Sequence, residues 1–284
     1  MNTINTIQKF RVWRQGIEGS LGFIPTMGAL HDGHLSLIEE ANKMCPHTVV
    51  SIYLNPAQFT SDEDLGTYPQ KLQHDLDALS RFQVDVIFLP MDSEMYPKGF
   101  STYVQETKLS TTLEGESRPS FFKGVATVVA KLFNIVQPTH AFFGKKDAQQ
   151  LLIVKKIVND MAYPIKIISC PIIRKENGLA MSSRNSYLSE SEQKMASLIY
   201  QALQKGKNLI ISGERDARAI REEITRTIIQ ESKLHIDYVS VAEAETLIEI
   251  SGSIPNKILV STAVLLGKTR LIDNFSYSLS SCRE

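Results

Sequence analysis

Apolar positions divide the chain into two textures. Through the first 170 residues, short continuous apolar runs alternate with stretches whose apolar residues recur every three or four positions. The runs at 21–24, 48–54, 85–89, 141–143 and 165–169 predict strands. The periodic stretches at 35–44, 70–81, 125–136 and 148–161 predict helices between them. Continuous runs, as opposed to alternating ones, mark parallel strands covered on both faces. The strand–helix alternation therefore predicts an α/β fold, a doubly wound parallel-sheet (Rossmann-like) domain. Ligands of such sheets collect beyond the carboxyl ends of the strands.

Near residue 174 the texture changes. RKENGLAMSSRNSYLS is polar, has little periodicity and reads as a hinge or mobile loop. Segments 190–206 and 215–232 then read as charged amphipathic helices, 235–241 alternates, and 258–266 is an apolar β-like run. Residues 1–173 are accordingly expected to form the Rossmann-like domain. Residues 174–284 are expected to form a smaller C-terminal α+β domain, a candidate lid.

The chain's 284 residues, 43% hydrophobic and 22% charged, describe an ordinary globular protein of about two domains. Lys+Arg and Asp+Glu both total 31, so no global charge steers it toward nucleic acid or an anionic membrane. Cys45, Cys170 and Cys282 are scattered and odd in number, which predicts free thiols in a reducing, cytoplasmic setting. The N-terminus lacks a signal peptide's apolar stretch, and no run approaches the roughly 20 residues of a membrane span.

Candidate chemistry concentrates in PTMGALHDGH, residues 25–34. Pro25 ends the first apolar run, Gly28 and Gly33 loosen the backbone, and His31 and His34 stand three residues apart. The order strand, glycine turn, helix puts both histidines in a helix's first turn, where unpaired N–H groups and the macrodipole suit a phosphate. Alone, His-x-x-His more often satisfies local hydrogen bonds; its place in the fold raises its weight. GKKD, residues 144–147, follows another strand. Lys145 and Lys146 read either as a solvated turn or as phosphate contacts, and Asp147 as a helix cap. Gln150 stands one helical turn beyond Asp147 on the same face. MSSRN, residues 181–185, is either a surface turn before a helix with its own capping box at Ser189–Glu192, or a phosphate clamp of hydroxyls and a guanidinium. NPAQF, residues 55–59, offers the amides of Asn55 and Gln58, and Tyr68-Pro69 forms a further turn. No P-loop, Gly-x-Gly-x-x-Gly or hydrolase triad is evident.

These motifs carry a resemblance. HDGH after a strand with a later MSSR resembles the paired signatures of adenylate-forming nucleotidyl transferases and class I aminoacyl-tRNA synthetases. The ordered set PTMGALHDGH, YLNPAQF, DLGTYP, LEGESRP, KLFNIVQP, FFGKKDAQQL, GLAMSSRNSYLS and RLIDN is similar to the pantoate–β-alanine ligase family from about residue 20 to 275. The resemblance implies ATP-dependent condensation of pantoate with β-alanine through a pantoyl adenylate, releasing AMP and pyrophosphate. Magnesium accompanies the ATP. It implies catalytic roles at the phosphates for His31, His34, Lys146, Ser182, Ser183 and Arg184. It places Met27, Gly28, Ala29, Leu30, Asp32, Gly33, Gly144, Lys145, Asp147, Ile173 and Met181 around ATP with them. Gln58, Gln150, Asn55 and Tyr68 would line pantoate or β-alanine. It further implies a cytoplasmic homodimer that binds small molecules, with neither nucleic acid nor membrane as partner; Asp75 and Asp147 are candidate magnesium ligands. Four positions depart from the family's pattern: Gln70, Phe121, Lys123 and Lys145. A nucleotidyl transferase stopping at an adenylylated product, or a non-catalytic nucleotide-binding protein, would share part of this set.

Overall fold

The structure, a computed structural model, describes residues 1–59 and 64–279. Cys282 lies outside the described residues. Two compact units are present: Met1–Lys145 with Gln149–Pro171, and Lys146–Ala148 with the chain from Ile172 onward.

The first unit is built in the order β1 (Asn2–Ile4), α1 (Ile7–Gln15), β2 (Leu21–Thr26), α2 (Asp32–Met44), β3 (His47–Ile52), α3 (Leu72–Leu79), β4 (Val86–Phe88), α4 (Asp92–Met95), α5 (Glu114–Ser117), α6 (Phe121–Val136), β5 (His140–Gly144), α7 (Ala148–Asp160) and β6 (Lys166–Cys170). Its six strands form one sheet in the order β1-β4-β3-β2-β5-β6, every neighbouring pair parallel. Side chains alternate across the sheet, so each apolar run feeds two cores. Phe23, Val49, Val86, Phe88, Ala141 and Phe143 join Phe10 of α1, Phe133 of α6 and Val154 of α7 in one core. Ile24, Val50, Ile87 and Phe142 join Leu37, Ile38 and Ala41 of α2 and Leu79 of α3 in the other. This two-sided burial is why the runs read as continuous.

β1 and α1 were not predicted. β1 is a three-residue, largely exposed edge strand beside β4, and Phe10 is the one fully buried residue of α1. Neither presents enough apolar period to register.

The second unit contains α8 (Glu190–Ile211), α9 (Ala217–Ile228) and an antiparallel meander, β7 (Leu234–Glu243), β8 (Lys257–Leu266) and β9 (Thr269–Ser278), in sheet order β7-β8-β9. The capping box forms: Ser189 Oγ accepts the Glu192 N–H, and Glu192 Oε2 accepts the Ser189 N–H at 2.8 Å. α8 continues past Gly206, with Ile210 still fully buried beneath it. β9 carries the RLIDN motif, whose polar residues mask the strand pattern in the sequence.

Candidate active site

In the first unit, β2 leads into the histidine turn as expected. The Thr26 hydroxyl donates to the Ser51 carbonyl at 2.8 Å, tying the end of β2 to β3. The chain then turns through two left-handed residues, Gly28 at φ 84° and Ala29 at φ 50°. Glycine enters that region without steric cost, and a Cβ at Gly28 would press Asp75 Oδ2 and Ile52 at 3.1 Å. The next two N–H groups point inward onto Asp75: Ala29 donates to Oδ2 at 2.9 Å and Leu30 to Oδ1 at 2.7 Å.

His31 is the N-cap of α2, a step earlier than the first-turn position expected of it. Its Nδ1 accepts the Gly33 N–H at 3.1 Å, the role usually filled by a Ser or Asp oxygen. An accepting Nδ1 carries no proton, so the neutral ring holds its proton on Nε2 as a donor. His34, in the first turn, lies beside it with ring centroids 4.1 Å apart and planes inclined at 35°. Two imidazoles thus share one helix N-terminus.

The NPAQF turn lies beyond β3. Asn55 is buried and all four of its side-chain bonds are engaged. Its Nδ2 donates to Gln58 Oε1 at 3.0 Å and to the Gly124 carbonyl at 3.2 Å. Its Oδ1 accepts the Tyr96 hydroxyl at 2.7 Å and the Ala57 N–H at 3.3 Å. Asn55 therefore orients Gln58 and has no further bond to offer a ligand. Gln58 Nε2 rests against Met27 Sδ, a weak acceptor that a ligand oxygen would outcompete. Tyr68 is buried, its ring edge-on to Phe59 at 6.0 Å. Burial holds the Tyr96 hydroxyl well above the usual phenol range.

Gln150 is half-buried in the first turn of α7, consistent with an available amide. Its neighbour Gln149, unremarked in the sequence, is buried and occupied: Nε2 donates to the Leu109 and Thr112 carbonyls at 2.7 Å, and Oε1 accepts the Glu114 N–H at 3.1 Å. It clamps the LEGE turn, where Leu113 has φ 50°. Two departures also have local roles: the Arg118 guanidinium lies 3.7 Å from the Phe121 ring centre, and Lys123 Nζ 4.3 Å from that of Tyr103. Gly144 ends β5, paired with Cys170, and Lys145 after it is exposed.

In the second unit, Lys146 Nζ is 3.3 Å from Asp147 Oδ1, and the Lys146 carbonyl accepts Asn274 Nδ2 of β9 at 2.8 Å. Within the segment read as a hinge or mobile loop, residues 173–181 form a tight hairpin. Lys175 N–H donates to the Leu179 carbonyl and Met181 N–H to the Ile173 carbonyl, each at 2.9 Å. Its lack of periodicity reflects a hairpin followed by a 3-10 turn. Ser182 caps the 3-10 turn Ser183–Tyr187 through its Oγ, which accepts the Arg184 N–H at 3.3 Å. Buried Asn185 donates from Nδ2 to the Ala180 carbonyl at 2.9 Å, fixing the MSSR backbone from below.

Among the described residues, no group of three His, Cys, Asp or Glu side chains gathers as a metal cage. Magnesium needs none when it arrives on phosphates, because it keeps waters and takes one or two carboxylates. Asp75 is 1% exposed, and each of its oxygens already accepts a backbone N–H. Asp147, its side chain 45% exposed, is open to a metal.

A doubly wound parallel sheet whose strand–turn–helix presents two imidazoles at a helix N-terminus defines a phosphate-binding α/β protein of the nucleotide-binding class. The pantoate-beta-alanine ligase family model matches residues 1–276, and the chain belongs to that family. It is 47% identical over 274 residues to pantothenate synthetase of Thermotoga petrophila, covering 96% of this chain and 98% of that one. The crystal structure of pantothenate synthetase from Thermus thermophilus superposes with a TM-score of 0.91 at 40% identity, covering 97% of this chain and 99% of that one. That of pantoate-beta-alanine ligase from Francisella tularensis, complexed with beta-gamma ATP and beta-alanine, gives 0.79 at 34% identity and covers 97% of each chain.

Proposed function

We infer that this chain is an ATP-dependent ligase that joins pantoate to β-alanine, forming pantothenate with release of AMP and pyrophosphate. The observation that carries this reading is the family match over residues 1–276. In the first step a pantoate carboxylate oxygen attacks the α-phosphorus, the bond to the β-phosphate oxygen breaks, and pyrophosphate leaves. In the second the β-alanine amine attacks the acyl carbon, the bond to AMP breaks, and the amine loses a proton.

Charge accumulates on the phosphate oxygens in the first step, so positioned donors and cations supply most of its acceleration. His31 and His34 are proposed to donate from Nε2 to those oxygens, the accepting Nδ1 of His31 supporting that tautomer. Lys146, Ser182, Ser183 and Arg184 are proposed to hold the triphosphate. Met27, Gly28, Ala29, Leu30, Asp32, Gly33, Gly144, Lys145, Asp147, Ile173 and Met181 are proposed to surround the nucleotide. Gln58 and Gln150 bind pantoate by their amides, with Asn55 acting through Gln58 and Tyr68 walling that side. Magnesium, when bound with ATP, neutralises charge on the leaving pyrophosphate, and Asp147 is the carboxylate proposed to face it.

A homodimer, a cytoplasmic location, a division at 173/174 and a lid role for the second domain belong to the same proposal. No helix among the described residues is long and apolar enough to cross a membrane. Sedimentation tests the dimer, and ATP-dependent protection of 174–190 from proteolysis tests the lid. The activity is tested by a product assay with ATP, magnesium, pantoate and β-alanine, omitting one at a time. AMP and pyrophosphate should require pantoate, and pantothenate should appear only with β-alanine. ATP binding without AMP under any omission would favour the non-catalytic reading.

A further inference from the structure

Asp75 is a buried carboxylate for which the ligase chemistry has no direct use. It sits in α3, 1% exposed, across the sequence from the histidine turn. Such a group is tolerated only when its charge is hydrogen-bonded or paired. The neighbouring His74 ring is 68% exposed and 3.9 Å away. The charge is met instead by two successive backbone N–H groups, Ala29 at 2.9 Å and Leu30 at 2.7 Å. Hydrogen bonds to an ionised acceptor are the stronger kind, and here one carboxylate takes both.

These bonds fall where the backbone has least reason to hold its shape. Gly28 and Ala29 are both left-handed, a conformation that alanine adopts at a steric cost. One residue after Leu30 comes His31, whose extended backbone, φ −142° and ψ 172°, opens α2. The direction in which Leu30 leaves Asp75 therefore sets how His31 enters the helix, and with it the stacked His34. In glycine-rich phosphate loops the turned backbone N–H groups bind the ligand. In this turn they already hold an internal anion, which leaves phosphate to the imidazoles and the α2 terminus.

We propose that Asp75 is a positioning residue for the nucleotide, an internal anion that pre-shapes the 28–31 turn so that His31 and His34 stand ready at the helix N-terminus. The proposal rests on the reading of that terminus as the ATP-phosphate site. Asp75→Asn is isosteric but faces one backbone N–H with an amide N–H₂ in place of an acceptor.

The test combines calorimetric dissociation constants for ATP and for pantoate with amide hydrogen exchange at Ala29 and Leu30, all on the full chain. Asp75→Asn should remain folded, weaken ATP about tenfold or more, as loss of a charge-assisted bond implies, and leave pantoate within about twofold. A residue that merely supports the fold would weaken both ligands together or lower the active fraction alone. Unchanged ATP affinity in a folded Asp75→Asn chain overturns the proposal. Should that variant not fold, exchange in the unsubstituted chain decides. Slow exchange at Ala29 and Leu30 relative to Met27 supports the carboxylate clamp, and equal exchange overturns it. If the unsubstituted chain binds no ATP at all, the nucleotide reading fails, a result separate from the exchange data on the turn.

Discussion

Arg174 and Asp273 stand 99 residues apart in sequence and form a two-bonded ion pair in the second unit, Nη1 to Oδ2 at 2.6 Å and Nη2 to Oδ1 at 2.8 Å. The carboxylate is almost fully buried and the guanidinium 20% exposed. Arg174 also lies over the Tyr200 ring at 4.3 Å and donates to the Gly178 carbonyl at 3.0 Å, so one side chain joins β9, α8 and the 173–181 hairpin. Removing one partner of such a pair leaves the other desolvated. Asp273→Ala should destabilise the protein by about 2–4 kcal/mol in urea unfolding, slightly below a fully buried pair because Arg174 retains some water. Arg174→Lys should recover only part of the loss, since an ammonium cannot reproduce the fork. A change under about 0.5 kcal/mol for Asp273→Ala would remove the pair from the account.

Gly124 and Ala57 define a second relationship with a measurable consequence. A Cβ on Gly124 would lie 2.1 Å from the Ala57 carbonyl oxygen, a backbone atom with no side-chain freedom to yield. The same glycine's carbonyl accepts Asn55 Nδ2, so α6 packs directly on the turn that carries Gln58. Gly124→Ala should cost about 1–3 kcal/mol of stability through overpacking. It should also raise the KM for pantoate more than that for ATP, because the displaced turn holds Gln58. Equal effects on both substrates would place the damage elsewhere.

Much of this fold is legible in the sequence. Two-sided burial leaves its mark as continuous runs, so the parallel sheet was visible at β2, β3, β4, β5 and β6. The turn chemistry of PTMGALHDGH likewise placed a strand before it and a helix after it. What stayed hidden depends on long-range partners. Asp75 stands in the sequence as a candidate magnesium ligand, and only the fold shows Ala29 and Leu30 pointing at it. Gln149 and Gln150 are adjacent and chemically identical, yet only the fold shows the first engaged with three backbone groups. Asp273 and Asn274 show no apolar pattern of their own in the sequence, although they sit in a strand and hold Arg174 and the Lys146 carbonyl.

The two described thiols permit a pH test. Cys170, at the end of β6, is pushed up to about 11, first by burial and then by Glu40. Cys45 is also raised, mainly by burial. Both are therefore neutral thiols at pH 8, and alkylation reads thiolate. In a Cys282→Ser background, native protein should label far more slowly with iodoacetamide at pH 8 than unfolded protein. The sign for stability follows from linkage. The unfolded Cys170 thiol ionises near 9.0 while the folded one keeps its proton to about 11. Stability from this group is thus complete below pH 9 and declines through pH 11, by at most about 3 kcal/mol. Rapid native labelling at pH 8 would contradict the burial of both thiols.

His31 and His34 lie ring to ring but perform separable tasks, which a paired substitution resolves. His31 is both N-cap, through Nδ1, and proposed phosphate donor, through Nε2; His34 has no capping role. His34→Ala should therefore leave stability nearly unchanged while slowing pantoate-dependent pyrophosphate release by about 10²–10³, the usual effect of losing one transition-state donor. His31→Ala should combine a rate loss with about 1 kcal/mol of destabilisation from the missing cap. His31→Asn separates the two, since an Asn oxygen can accept the Gly33 N–H but presents no imidazole at the phosphate. It should regain the stability and not the rate. If His31→Asn restores both, the ring at position 31 acts only as a cap, and the phosphate chemistry at the α2 terminus rests on His34 and the helix N–H groups.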